Sequence, residues 1–346
     1  MTKQIKEITK KTKKEDKKKI LKSSNISKSK SSTSNNLDNI ESKTKETSKD
    51  QQQSTSTIAP TLTKAKLATK SEVTWCLGCP DYMIMESAKR TIAKLIDEGK
   101  FKHEDFAICT DIGCHGKTFD YLNLSGIYSL HGRAIPTAIG MKLGNPNLKL
   151  LVFAGDGAVY SEGMDHFIHA FKYNADMTLI LHDNQSFSLT TGQPTPTSQT
   201  GFISKSEPLG VFDKPLNPLK IALACNATFI ARANGRDMQK MAEIFEKAIA
   251  HRGFSFVEVI QDCIIFNKEM NNRDKRMYYI EDNFDKSKAE TLVNEYDYNS
   301  KEGKIPLGII YQNKEEKCLE EKWPQLKRLL NSKIVWRDKN NIKMIK

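Results

Sequence analysis

The chain has 346 residues, 54 Lys and Arg against 42 Asp and Glu, and a formal net charge of +12. That length holds one large or two ordinary domains around a substantial core, and the lack of any apolar stretch of membrane-spanning length argues against an integral membrane protein. The charge is lopsided: residues 1–70 carry 18 lysines, no arginine and 7 acids, so they supply +11 of the total and leave the other 276 residues nearly neutral.

Residues 1–70 combine lysine clusters, such as 10–19, with polar runs such as Ser31-Ser32-Thr33-Ser34-Asn35-Asn36. So little apolar surface cannot offset the entropy of ordering, and the segment is expected to be a disordered, Lys-rich leader. Its lysines read as a solvated charge run; salt-sensitive, sequence-blind attraction to nucleic acid or an anionic surface is the alternative, and nucleic acid is not the expected partner. Without a continuous apolar segment or an arginine-rich pattern the leader does not read as a targeting peptide, so a soluble, cytoplasmic protein is expected.

Beyond it, residues 82–97 read as a helix, with Ile84, Met85, Ala88, Ile92, Leu95 and Ile96 at helical spacing and Gly99 past its end. Residues 106–109 make a short strand, followed by the loop Asp111-Ile112-Gly113-Cys114-His115-Gly116. Residues 127–130 are extended, His131-Gly132-Arg133 is a turn, and 134–143 is a helix that tolerates Pro136 in its first turn.

The apolar run 150–154 then closes on Gly155-Asp156-Gly157, and a second run, 177–181, ends at Asn184 with 26 residues between Gly157 and Asn184. That interval fits one strand–helix–strand crossover. In a parallel sheet it brings Asp156 and Asn184 to the same edge, where their oxygens suit a hard cation such as magnesium beside a diphosphate. Gly155 and Gly157 let the backbone approach a phosphate, and a helix beginning at 158–162 would favour negative charge at its amino end.

Residues 185–217 hold Gly192, Pro194, Pro196, Gly201, Pro208, Gly210 and Pro215 and read as a long irregular segment of the kind that carries function; Thr190, Thr191 and Gln193 are its candidates for a lid or phosphate contacts. A helix at 218–224, a strand at 228–231, a helix at 237–250 and a strand at 254–260 follow. This alternation predicts an α/β fold with a doubly wound, mainly parallel sheet. We expect three parts: the leader 1–70, a cofactor-binding domain 71–266, and a charged C-terminal extension 267–346 whose one apolar patch is 305–311.

Seven cysteines without an export signal point to thiols or metal ligands rather than disulfides. Cys76 and Cys79 form a Cys-x-x-Cys pair, and Cys114 and Cys263 each follow a predicted strand, on the same edge as Asp156 and Asn184. Four thiolates gathered there suit zinc or an iron–sulfur cluster, and spacing alone leaves both open. Cys109 and Cys225 read as buried small hydrophobes and Cys318 as incidental.

Trp-Cys-x-Gly-Cys at 75–79, Ile-Gly-Cys at 112–114, His-Gly-Arg at 131–133, Gly-Asp-Gly at 155–157, His-Phe-Ile-His-Ala at 166–170, Asp-Asn at 183–184, Leu-Thr-Thr-Gly-Gln at 189–193 and Gln-x-Cys at 261–263 together carry a resemblance. From about Val73 to Tyr311 the chain resembles the beta subunit of 2-oxoacid:ferredoxin oxidoreductases, the group that includes the pyruvate and 2-oxoglutarate enzymes. The resemblance implies a thiamine diphosphate-binding fold, a 4Fe-4S cluster on Cys76, Cys79, Cys114 and Cys263, and Mg2+ held by Asp156, Asn184 and the main-chain carbonyl of Ser186. It also places His131 and Arg133 near cofactor or substrate. The implied reaction is CoA-dependent oxidative decarboxylation of a 2-oxoacid, with electrons leaving through the cluster to ferredoxin. No residue here is a convincing activator of the aminopyrimidine ring, a task for which thiamine enzymes use a glutamate from a second domain, so an alpha subunit is implied and this chain alone should be inactive. Pro80, Ala158 and Gly163-Met164-Asp165-His166 depart from the family pattern. Two other readings stay open: a non-oxidative thiamine diphosphate-dependent decarboxylase or synthase, which needs no cluster, and a zinc-stabilised interaction module recruited to nucleic acid by the leader.

Overall fold

The computed structural model describes residues 62–299 and 302–332. The expected disorder of 1–61 falls outside them. Residues 62–70, assigned to the leader by composition, belong to the folded part: helix α1 (Leu62–Lys66) is followed by Leu67, which is fully buried, and Ala68, which forms a bridge with Leu122. Leu67 packs in the core as an anchor that a compositional average conceals.

In chain order there follow α2 (Asp81–Asp97), β1 (Phe106–Thr110), α3 (Thr118–Tyr121), β2 (Ser125–Tyr128), α4 (Ala134–Gly144), β3 (Lys149–Gly155), α5 (Asp156–Tyr160), α6 (Met164–Tyr173) and β4 (Met177–Asp183). After the irregular segment come α7 (Pro218–Ala224), β5 (Phe229–Asn234), α8 (Met238–Ala250), β6 (Phe254–Ile260), β7 (Met277–Tyr279), α9 (Lys286–Asn294), β8 (Ile305–Gln312), α10 (Leu319–Lys322) and α11 (Pro324–Ser332). Among the described residues one eight-stranded sheet has the order β2-β1-β3-β4-β6-β5-β8-β7. The first six strands in that order are mutually parallel, as the alternation of elements predicts.

Side-chain alternation along the strands builds two cores. Leu150, Val152 and Ala154 of β3 face one layer with Leu179, Leu181 and Phe256, covered by Ala138, Phe167, Leu219 and Leu292 from α4, α6, α7 and α9. Leu151, Phe153, Ile180 and Val257 face the other, covered by Ile84 and Ile92 of α2 and Phe245 of α8. The central strands β3, β4 and β6 are buried almost end to end, as strands covered on both faces must be.

The C-terminal extension expected from residue 267 joins the same sheet. β8, whose core is the apolar patch 305–311, pairs antiparallel with β5, and β7 adds parallel to β8. Without β8, the apolar strand β5 would be an open edge, so the extension completes the sheet.

Candidate functional site

β1, β3, β4 and β6 are neighbours in the sheet and point the same way, so the residues after them share one rim. Those residues are Asp111 to His115, Asp156, Asn184 to Ser186, and Gln261 to Cys263. β2 lies on one side of β1 and β3 on the other, which makes the crevice between β1 and β3 a topological switch point. A narrow cleft opens there, lined among others by Cys114, His115, Asp156, His182, Asn184 and Thr190.

Gly155 is still extended (φ −100°, ψ 155°), and α5 starts at Asp156 itself, two residues before the helix start expected from the sequence. The carboxylate is 2% exposed. Its Oδ2 accepts from Thr195 Oγ1 at 2.6 Å and Thr197 Oγ1 at 3.0 Å. Thr197 lies also within 3.1 Å of Asp183 Oδ1, while Asp183 Oδ2 is buried with no hydrogen-bond partner among the described residues. Burial raises Asp156 to about 6 against the lowering effect of the two hydroxyls. Asp183 is pushed well above the carboxylate range by burial, then by Asp156 and Glu258. Two carboxyl groups that oppose each other's ionisation in a dry site are what a divalent cation offsets.

Asn184 Oδ1 accepts from the Ser186 amide at 3.0 Å, a tight turn in which Gln185 takes φ 54°, and Ser186 Oγ is buried with no partner among the described residues. A Cβ on Gly157 would stand 2.5 Å from the Phe187 ring, and one on Gly155 would stand 2.5 Å from His115. A side chain at either position would force the neighbouring ring to move. Hard oxygen donors, a close backbone approach and orphaned polar atoms therefore fit magnesium and a diphosphate.

Two buried Asp–His pairs flank the cleft. His115 Nε2 meets Asp111 Oδ1; burial works to lower this imidazole, but Asp111 carries it above its ordinary value. His182 Nδ1 bonds Asp81 Oδ1 at 2.8 Å, and its Nε2 is buried with no partner among the described residues. His131 lines the cleft, and its Nδ1 likewise has no partner among the described residues. Arg133 is not among the lining residues: its Nη1 donates to the Glu162 carbonyl at 2.6 Å. Thr190 lines the cleft and donates to Gln193 Oε1 at 2.7 Å, so Gln193 stands behind it. Thr195, Thr197, His182 and Asp81 are not singled out by the sequence. The long Gly- and Pro-rich segment is the signal for the threonines; β4 reads as plain apolar strand and gives none for His182.

Cys76 is exposed, Cys79 and Cys114 are partly exposed, and Cys263 is buried. Cys76 and Cys79 close a turn, Cys79 N donating to Cys76 O at 3.0 Å with Gly78 at φ 84°. Pro80 then opens α2 through its carbonyl, which accepts from Met83 and Ile84, so its missing N–H leaves no gap in the helix. Burial, reinforced by Asp81, Cys263 and Cys76, raises Cys114 to about 12. Cys79 is raised by burial, by Asp81 and in smaller part by Cys114. The charge effects of Cys263 and Cys76 on Cys114, and of Cys114 on Cys79, mean that these thiols lie within electrostatic reach of one another. Among the described residues, no set of three or more His, Cys, Asp or Glu side chains already closes around a metal position. Cys318, expected to be incidental, is buried and caps α10.

A parallel sheet whose switch-point rim joins an oxygen-lined cation cradle to a glycine-flanked backbone defines the diphosphate-binding domain of a thiamine-dependent enzyme. Residues 111–259 match the family model "Thiamine pyrophosphate enzyme, C-terminal TPP binding domain", and 263–328 match the C-terminal family model of the "Pyruvate ferredoxin oxidoreductase beta subunit". The 2-oxoacid:ferredoxin oxidoreductase 2 subunit beta of Aeropyrum pernix is 34% identical over 269 residues, 73% of this chain and 84% of that one. The 2-oxoglutarate oxidoreductase subunit KorB of Mycobacterium tuberculosis is 40% identical over 196 residues, which span 57% of this chain and about half (52%) of that relative. The chain belongs to the beta-subunit family of 2-oxoacid:ferredoxin oxidoreductases. A solved 2-oxoglutarate:ferredoxin oxidoreductase from Magnetococcus marinus, with 2-oxoglutarate, coenzyme A and succinyl-CoA bound, superposes with a TM-score of 0.72 at 29% identity, covering 81% of this chain and 94% of that one.

Proposed function

We propose that this chain is the diphosphate-binding and electron-passing subunit of an enzyme that converts a 2-oxoacid of the pyruvate or 2-oxoglutarate type and CoA into acyl-CoA and CO2. Two electrons leave, one at a time, to ferredoxin. The observation that carries the reading is the common rim of β1, β3, β4 and β6, which brings Asp156, Asn184 and Ser186 together with Cys114 and Cys263.

Thiamine diphosphate, when bound, supplies the carbanion chemistry at the keto carbon. Asp156, Asn184 and the Ser186 carbonyl would hold the Mg2+ that offsets the diphosphate charge. Thr195 and Thr197 fix the Asp156 carboxylate, and Gly157 leaves room for Phe187 beside the backbone. Cys76, Cys79, Cys114 and Cys263 would ligate a 4Fe-4S cluster, soft thiolates suiting iron and sulfide. His131, His115 and His182 present ring nitrogens around the cleft for binding and orienting substrate. An alpha subunit would supply the remaining face of the site. The reading places the enzyme in the cytoplasm, and no helix among the described residues is long and apolar enough to cross a membrane.

The test is anaerobic co-purification with the neighbouring subunit, followed by iron and thiamine assays and a panel of 2-oxoacids with CoA and ferredoxin. Iron, thiamine diphosphate and ferredoxin reduction together support the reading. Stoichiometric zinc without iron sinks it, as does full thiamine-dependent turnover by colourless protein.

A further inference from the structure

The turn between Asn184 and Ser186 is gripped from the C-terminal side of the chain. Asn267 is 7% exposed, and its Nδ2 donates to the Asn184 carbonyl at 3.0 Å. Its own amide donates to the Cys263 carbonyl at 3.0 Å, closing a bridge between Cys263 and Asn267. Arg273, 3% exposed, donates from Nη2 to Gln185 Oε1 at 2.8 Å. Gln185 is the residue at φ 54°, a left-handed conformation that a non-glycine residue holds only when its surroundings fix it. The Ser198 hydroxyl on the Gln185 carbonyl at 2.7 Å completes the grip. Three of these four bonds end on the turn itself, at the Asn184 carbonyl, the Gln185 side chain and the Gln185 carbonyl.

We propose that Asn267 and Arg273 are positioning residues for the cation and its diphosphate, and that Asn267 ties the turn bearing Cys263 to the cation-binding turn as one unit. The inference rests on the proposed function. Partners behind a metal ligand orient it, and their loss typically weakens metal binding by roughly 10–100-fold. Asn267→Asp keeps the shape but turns a carboxylate oxygen towards the Asn184 carbonyl. Arg273→Met removes the donor to Gln185 without touching the cysteine turn, and Arg273→Lys keeps a charge and a donor.

The test uses the complete complex, purified anaerobically with its partner, freed of magnesium and thiamine diphosphate, and titrated calorimetrically with both. Iron content and the electron paramagnetic resonance spectrum of the reduced protein are recorded on the same samples. Asn267→Asp and Arg273→Met are expected to bind roughly 10–100-fold more weakly with iron retained, and Arg273→Lys to recover most of the loss. Asn267→Asp alone is expected to alter the spectrum. Wild-type affinity in both Asn267→Asp and Arg273→Met overturns the positioning role, as does loss of iron in step with affinity in Arg273→Met. An unaltered spectrum in Asn267→Asp overturns the tie to Cys263. A wild-type complex that binds no thiamine diphosphate instead defeats the proposed function itself.

Discussion

The Thr195 hydroxyl donates to Asp156 Oδ2 across 2.6 Å, joining the first residue of a helix to a segment 39 residues further along the chain. That bond fixes a carboxylate which burial alone would leave costly to ionise. Asp156→Ala removes the proposed cation ligand and leaves the cysteine turn intact. The variant complex is expected to retain iron while losing thiamine diphosphate on gel filtration, and retention of both with unimpaired turnover would contradict the assignment of Asp156.

Thr195→Val tests the support rather than the ligand. Thr197 still reaches Asp156 at 3.0 Å, so the carboxylate keeps one donor and the effect is smaller. A lost hydrogen bond to a charged group costs about 1.5–3 kcal/mol, which corresponds to binding roughly 10–150-fold weaker. Magnesium titration at fixed thiamine diphosphate reads this directly, and Thr195→Ser, which keeps the hydroxyl, should titrate within a few-fold of wild type.

The proposed cluster ligands are separated from the other cysteines by single replacements. Replacing Cys76, Cys79, Cys114 or Cys263 singly by Ser is expected to lower iron per chain sharply and remove the brown colour. Cys225→Ala, at the end of α7, is expected to leave iron unchanged. Equal iron in all five variants would remove the cluster from these residues.

Much of this site is visible in the sequence because its parts follow apolar runs of strand length. Gly155 to Gly157 after β3, Asn184 after β4 and Cys263 after β6 are legible from period and punctuation alone, and strand parallelism then brings them to one rim. What stays hidden depends on contacts distant in sequence. Leu67 packs from within a lysine-rich stretch, and β8 joins β5 antiparallel across more than seventy residues. Behind the rim, Arg232 bonds Glu258 at 2.7 Å and Tyr298 at 2.9 Å, a buried triad whose members lie on two strands and a later loop. No local pattern announces such a triad, because each residue is a solvated side chain until its partners arrive.

A titration remote from the cofactor gives a final prediction. His251 is buried beside Thr228, whose hydroxyl donates to Asn174 Oδ1 at 2.8 Å and therefore accepts from His251 Nε2 at 2.9 Å. On the other side Gln312 Nε2 approaches Nδ1 at 3.4 Å, so the neutral ring is the form these neighbours receive. Burial, with Lys149 and Lys314 adding positive charge against the opposing Asp176, holds His251 down at about 4. A histidine depressed on folding binds its proton more readily in the unfolded chain. Its contribution is therefore present above about pH 6.5, shrinks as pH falls through the window, and is gone below about 4. The slope within the window is about 1.4 kcal/mol per pH unit at most. Urea melts of wild type and His251→Gln at pH 7 and pH 4.5 should show a smaller loss of stability on acidification in the variant. Parallel losses in the two proteins would remove His251 as the titrating group.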